Sequence, residues 1–215
     1  WVTALVAWAV LLYCSFGVLT LTHGERTLKI VDGGWLICIV GTQSLVLLGV
    51  NVIPWVGPLG GVMMLGLYMF WMLGLILYGI FVTLFAYRIF FMEMEFDDYT
   101  PHMWVIMGAA AISANASSAL AVADPVIHVL FEIHPFVDSM ALLTWAWATW
   151  WLPLLIIISF WKHVVHRIPL GYDPRQWSIV FPLGMYTVAS VQPSVAAEFD
   201  PLHWISHFMV WVALG

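Results

Sequence analysis

An all-α polytopic membrane protein is the fold class this sequence predicts, on three observations. Of its 215 residues, 63% are hydrophobic and only 8% are charged. A soluble surface needs roughly a quarter or more of its positions charged. Apolar runs of about 18 residues or more recur along the chain, each long enough to cross a bilayer. These runs lack the period-two alternation of strands.

Seven segments qualify: about 1–22, 35–53, 60–91, 103–123, 139–165, 174–192 and 202–215. They read as a single transmembrane domain over 1–215. The first opens on Trp1 already inside a span and stops at His23-Gly24-Glu25-Arg26. The second enters at Asp32-Gly33-Gly34-Trp35 and ends at Pro54-Trp55-Val56-Gly57-Pro58. The third, at ~1.5 Å per residue, exceeds a bilayer's ~30 Å core and should tilt or protrude. The fourth enters at Thr100-Pro101-His102-Met103-Trp104 and the sixth at Asp173-Pro174-Arg175-Gln176-Trp177. Asp and Thr are good N-caps, and proline suits the first helical position. The fifth segment is bulky throughout. The seventh repeats the Asp-Pro start at Asp200-Pro201 and ends at Gly215 about a dozen residues in. The chain is expected to be part of a longer protein.

Orientation comes from the basic residues. Arg26, Lys29, Arg88, Lys162, Arg167 and Arg175 all fall at one end of the segments, and the other connections carry none. Excess Lys and Arg in short loops marks the cytoplasm. Loops 24–34, 92–102 and 166–173 are therefore expected inside, with the second, fourth and sixth segments running outward. The tryptophans Trp35, Trp104 and Trp177 that open these three lie 69 and 73 residues apart. That period fits one helical hairpin, so a repeated two-helix unit is one reading. The other is the preference of tryptophan for interfaces.

Composition separates two layers. The fourth segment reads Gly108-Ala109-Ala110-Ala111-Ile112-Ser113-Ala114-Asn115-Ala116-Ser117-Ser118. The second holds Gly41, Thr42, Gln43, Ser44 and Gly49, and the sixth Gly184, Ser190 and Gln192. Small residues let helix backbones approach in lipid, and polar side chains at depth face protein or a watery cavity. These three are expected as an inner layer, and the bulky first, third and fifth as an outer one.

Eight histidines invite a metal or haem-binding redox reading. His203 and His207 are four apart and His163 and His166 three apart, spacings that can ligate metal. All eight fall near helix ends or in loops, where ordinary hydrogen bonding is the simpler role, so no metal or cofactor is expected. Cys14 and Cys38 lie inside spans and are expected to pack as thiols. No basic patch suggests nucleic acid. No charged residue falls mid-span, whereas coupled carriers usually place one at depth. Passive conduction is favoured over catalysis or coupling. The acidic run Glu93–Asp98 reads as a solvated loop.

The stretch Trp177-Ser178-Ile179-Val180-Phe181-Pro182-Leu183-Gly184 resembles the tellurite-resistance and dicarboxylate transporter family. That family includes sulfite and malate exporters and plant slow anion channels. Trp35–Ser44, Trp104–Ile112 and Trp150-Trp151-Leu152-Pro153-Leu154-Leu155 agree with it. The resemblance implies ten helices in five hairpins around a central pore, commonly in a homotrimer. The seven segments would be the fourth to tenth. It implies transport of small inorganic or carboxylate anions, by a channel or by a proton-coupled dicarboxylate or sulfite carrier. It also implies that Phe181 lies across the pore as a gate, with Pro182 allowing a kink that swings the ring over the axis. Equivalent positions are Ile39 and Gly108. Stepping by four and then three residues from each gives the expected pore face: Ile39, Gln43 and Val46; Gly108, Ile112 and Asn115; Phe181, Met185 and Val188.

Overall fold

The computed structural model describes residues 1–21, 31–123, 128–169, 171–196 and 208–211. Among these residues the secondary structure is helical throughout, with no strand. Six long helices succeed one another: α1 Val2–Leu21, α2 Ile37–Val52, α3 Gly60–Phe91, α4 Val105–Val122, α5 His128–Phe160 and α6 Trp177–Ala196. Five spans are long and apolar enough to cross a membrane: Val2–Leu21, Gly33–Trp55, Gly57–Phe91, Pro101–Val122 and His128–Val165. The chain is a polytopic helical membrane protein. Helix α6 has the length, 20 residues, but carries Pro182, Tyr186, Thr187, Ser190 and Gln192 among its apolar residues. The expected seventh segment, 202–215, lies outside the described residues except for helical Phe208–Trp211.

One boundary differs from expectation. Helix α5 begins at His128, well before the predicted 139, and runs through Pro135. Hydropathy marks the part of a helix that lipid can cover, not the helix itself. Residues 128–138 carry Glu132, His134 and Asp138 and extend the apolar span. Ser139 Oγ donates to Pro135 O at 2.7 Å, one turn beyond the Phe131 carbonyl that the proline leaves without its helical donor. With the π-helical turn Trp161–Val165 appended, the element is 38 residues long. At ~1.5 Å per residue that is ~57 Å, well beyond the ~30 Å apolar core. Helix α3, 32 residues over Gly60–Phe91, overshoots as its length predicted.

Helix α4 is the centre of the packing. It contacts α2, α3, α5 and α6. Of the most apolar window in its span, 83% is buried, against none of the window in α1. The reason is the run of Gly, Ala and Ser from 108 to 118, which allows backbones close on all sides. The outer helices supply the volume. Met64, Leu67, Tyr68, Trp71, Tyr78, Phe81 and Phe85 form the buried stripe of α3, spaced mostly three and four apart. Aromatic donors then join the layers. Trp8 Nε1 of α1 donates to Thr42 Oγ1 of α2 at 2.9 Å. Trp71 Nε1 of α3 donates to Ser117 Oγ of α4 at 2.8 Å. Tyr78 Oη donates to Ile106 O at 3.1 Å, and Trp145 Nε1 of α5 donates to Ser190 Oγ of α6 at 3.0 Å. In each pair the bulky helix donates and the small-residue helix accepts. Such interhelical bonds are worth roughly 0.6–1.7 kcal/mol each in a bilayer.

Candidate functional site

The three small-residue helices share one entry. Each is preceded by a short 3-10 turn: Gly33–Leu36 before α2, Pro101–Trp104 before α4 and Pro174–Gln176 before α6. Asp32 Oδ1 accepts from Gly34 N at 2.9 Å, and Asp173 Oδ1 from Arg175 N at 2.9 Å. Both caps are as expected. Thr100 is not a side-chain cap: its residue opens the turn, but its hydroxyl makes no cap hydrogen bond and is buried without a partner. Met103 N bonds the Thr100 carbonyl at 3.1 Å, as Gln176 N bonds the Asp173 carbonyl at 2.9 Å. The entries to α2 and α4 touch through backbone, and a Cβ at Gly33 would collide with His102 O.

The described basic residues come together at this end. Arg88 is buried and donates through Nη1 to Val31 O at 2.8 Å and through Nη2 to Asp98 Oδ1 at 2.6 Å. It ties the end of α3 to the extended lead into α2 and to the acidic loop. Asp98 Oδ2 also accepts from Glu95 N at 3.0 Å, so the acidic run is in part folded and neutralised rather than simply solvated. Lys162 Nζ donates to Tyr99 O at 2.6 Å. Arg175 pairs with Asp173 through Nε at 2.7 Å. This guanidinium holds the Asp173 carboxyl below its ordinary pKa. Arg26 and Lys29 lie outside the described residues.

The expected pore residues divide into three groups. On α6, Phe181 is 40% exposed and Val188 is 52% exposed, with Met185 half-buried between them. With Trp177 and Gly184 they mark one open face, while Leu183, Tyr186 and Ser190 are buried on the other. On α4, Gly108, Ile112 and Asn115 are buried, and Gly108 and Asn115 meet α6. A Cβ at Gly108 would stand 2.7 Å from Pro182 Cγ, so only glycine admits the proline ring here. Asn115 Nδ2 donates to Met185 O at 3.1 Å. On α2, Ile39, Gln43 and Val46 are each fully buried. Gln43 Nε2 donates to Trp71 O of α3 at 3.3 Å, and Ile39 and Val46 belong to the packed core. The open face of α2 instead carries Ile37, Ser44, Leu48 and Asn51. The structure thus joins the α4 and α6 residues in one seam and sets the α2 residues apart from the face that shows Phe181.

The histidines serve local contacts. His102 Nδ1 lies 3.8 Å from Asp32 Oδ2, His163 Nδ1 donates to Ile168 O at 2.9 Å, and His166 packs on Trp161 with ring centroids 4.3 Å apart. Among the described residues no three His, Cys, Asp or Glu side chains gather as a metal site. His23, His203 and His207 lie outside those residues. Cys14 and Cys38 are free thiols.

A bundle of apolar helices packed around an alanine-rich central α4, with one open, aromatic-bearing face on α6, defines the class as a polytopic helical membrane protein. The chain belongs to the voltage-dependent anion channel family, whose model matches residues 1–215. The family resemblance seen in the motifs is thereby met. The chain is 40% identical over 119 residues to an uncharacterized membrane protein of Mycobacterium tuberculosis, covering 55% of this chain and 59% of that one. It is 22% identical over 183 residues to an uncharacterized transporter of Methanocaldococcus jannaschii, covering 85% of this chain and 52% of that one. The matched region thus spans little more than half the length of these curated relatives. No solved structure matches the chain at a significant level.

Proposed function

We propose that the protein is a passive, gated conduit for small inorganic or carboxylate anions, with Phe181 as the gate and with copies assembled as homotrimers. The observation that carries this reading, beside membership of the family, is the Phe181–Pro182 pair. Phe181 stands on the open face of α6, while the next residue is locked against Gly108 of α4. The ring is therefore mounted beside a fixed point of the bundle. Met185 and Val188 continue the lining, backed by the buried Ile112 and Asn115 of α4. Ile39, Gln43 and Val46, being packed, support this wall rather than line it. So apolar a surface offers an anion few strong contacts, which suits fast passage and broad selectivity. Loops 24–34, 92–102 and 166–173 face the cytoplasm in this proposal, since the described basic residues share one end. The paired Asp98 removes part of the repulsion that the acidic run would otherwise exert on an entering anion.

The test is electrical recording of the full-length protein carrying Phe181→Ala. Lowering a barrier by about 1.4 kcal/mol raises a rate about tenfold, so the current should rise by about tenfold or more. An unchanged current from folded, surface-expressed protein rejects the gate. Flux that tracks a pH gradient in liposomes would favour a proton-coupled carrier instead.

A further inference from the structure

At the basic end of the bundle lies a cavity of about 300 Å³, a size within the range of small-ligand sites. Three elements enclose it: the turn before α4 with Thr100, the end of α5 with Lys162 and His163, and the entry to α6 with Asp173, Arg175 and Ile179. Lys162 and Arg175 against Asp173 leave one net positive charge.

The donors converging here are incompletely used among the described residues. Lys162 gives one N–H to Tyr99 O, which leaves two on the ammonium. Arg175 holds Asp173 Oδ2 through Nε and Nη2, which leaves Nη1. Thr100 Oγ1 is buried with no partner, although its place at the head of a helical turn is one where a threonine normally caps. A buried hydroxyl without a partner costs about 1–3 kcal/mol, and Thr100 is one of the residues that line the cavity.

The cavity is separate from the open face of α6. Ile179 lines it, and Phe181 is two residues on, about 200° around a helix of ~3.6 residues per turn.

We propose that this cavity binds a phosphate-bearing anion, either a phospholipid headgroup or soluble phosphate, held by Lys162, Arg175 and Thr100. The donors come from three elements: the turn before α4, the end of α5 and the entry to α6. A phosphoryl group presents three strong acceptor oxygens, whereas a planar carboxylate would satisfy fewer of them. The bound anion would hold the ends of α4, α5 and α6 together behind the Phe181 face. The inference does not depend on anion conduction, because its readout is binding and not flux.

The full-length protein in uncharged detergent is titrated by calorimetry with inorganic phosphate and with dihexanoyl phosphatidic acid. Dihexanoyl glycerol, which keeps the chains and lacks the phosphate, is the control. The expected result is saturable binding of at least one phosphate probe and none of the control. Binding of the lipid alone identifies a headgroup site, and comparable binding of inorganic phosphate identifies a soluble anion. Loss of one charge-assisted bond is worth about tenfold in affinity, the weakening expected for Lys162→Gln. Thr100→Val, nearly isosteric and unchanged in charge, should weaken binding severalfold and serves where Lys162→Gln does not fold. Absence of saturable binding, or unaltered affinity in the folded variants, overturns the proposal.

Discussion

The stretches leading into α4 and α6 begin alike and end differently. Each has an Arg–Asp pair, a proline, a tryptophan and then a helix. Yet Trp104 is 8% exposed and Trp177 is 66% exposed. Arg88 and Asp98 have side chains 6% and 33% exposed and join three segments. Arg175 and Asp173, at 55% and 30%, are two residues apart and join nothing distant. Past the tryptophans, α4 is buried nearly all round and α6 keeps one face open. A local start signal therefore fixes where a membrane helix begins and says little about how closely it will be surrounded. The body of the helix decides that: small residues lie on all sides of α4, whereas α6 carries the bulky Trp177, Phe181 and Val188 on its open face.

Glycines break this comparison most strongly. Gly108→Leu drives a side chain into Pro182 and should cost about 3 kcal/mol, the upper end of overpacking penalties. Gly184 has nothing within 4 Å of a would-be Cβ, so Gly184→Leu should change stability by less than about 0.5 kcal/mol. Thermal unfolding of both variants in detergent checks the contrast. Equal losses would mean that the α6 face is not open.

The ion pairs come next. Arg88→Ala leaves Asp98 and Val31 O without their buried donor. It should cost about 2–3 kcal/mol, less than a fully buried pair because Asp98 is partly solvated. Arg175→Ala should leave the unfolding midpoint unchanged within error, since that pair is exposed and local. A smaller effect is expected at the seam. Asn115→Leu removes one interhelical bond and should cost about 1 kcal/mol, measured by the same melts.

The smallest effect is the pH response of Asp173. Its folded carboxyl is held below the ordinary value, chiefly by the Arg175 side chain and backbone hydrogen bonds. Its contribution is therefore complete above the usual aspartate range of about 3.9 and fades only as the pH falls through the lower folded value. Wild type and Asp173→Asn should show parallel stability profiles above about pH 5. Divergence there would place Asp173 in a more demanding environment than its exposure indicates.

Much of the fold is legible in the sequence. The third segment, 60–91, coincides with Gly60–Phe91, because Pro58 and the charged residues after Phe91 punctuate it. Asp32 and Asp173 cap as their positions imply. Thr100 does not: its hydroxyl makes no hydrogen bond to the turn that it opens. The early start of α5 is hidden by Pro135 and by the charges of 132–138, which read as a loop when hydropathy is the guide. The basic cavity has no motif of its own, because Lys162 and His163 end α5, Arg175 opens α6 and Thr100 comes from the lead into α4. Its signal is their common end of the bundle, together with a threonine in a capping position. On α2, spacing points to an open face through Ile39, Gln43 and Val46, and that face is packed on α3 and α4.

By itself the sequence determined that this chain is a bundle of membrane helices, where most of them start, and that α4 belongs to an inner, close-packed layer. Those properties are local: transfer of apolar residues into lipid, capping of a turn, and the width of a small-residue helix. Tertiary structure alone decided which face of each helix is covered. Lipid and protein interior are equally apolar, so leucine, isoleucine and valine are equally at home on either side, and hydropathy carries no angle around the helix axis. Only contacts such as Gly108 with Pro182 and Gln43 with Trp71 supply that angle.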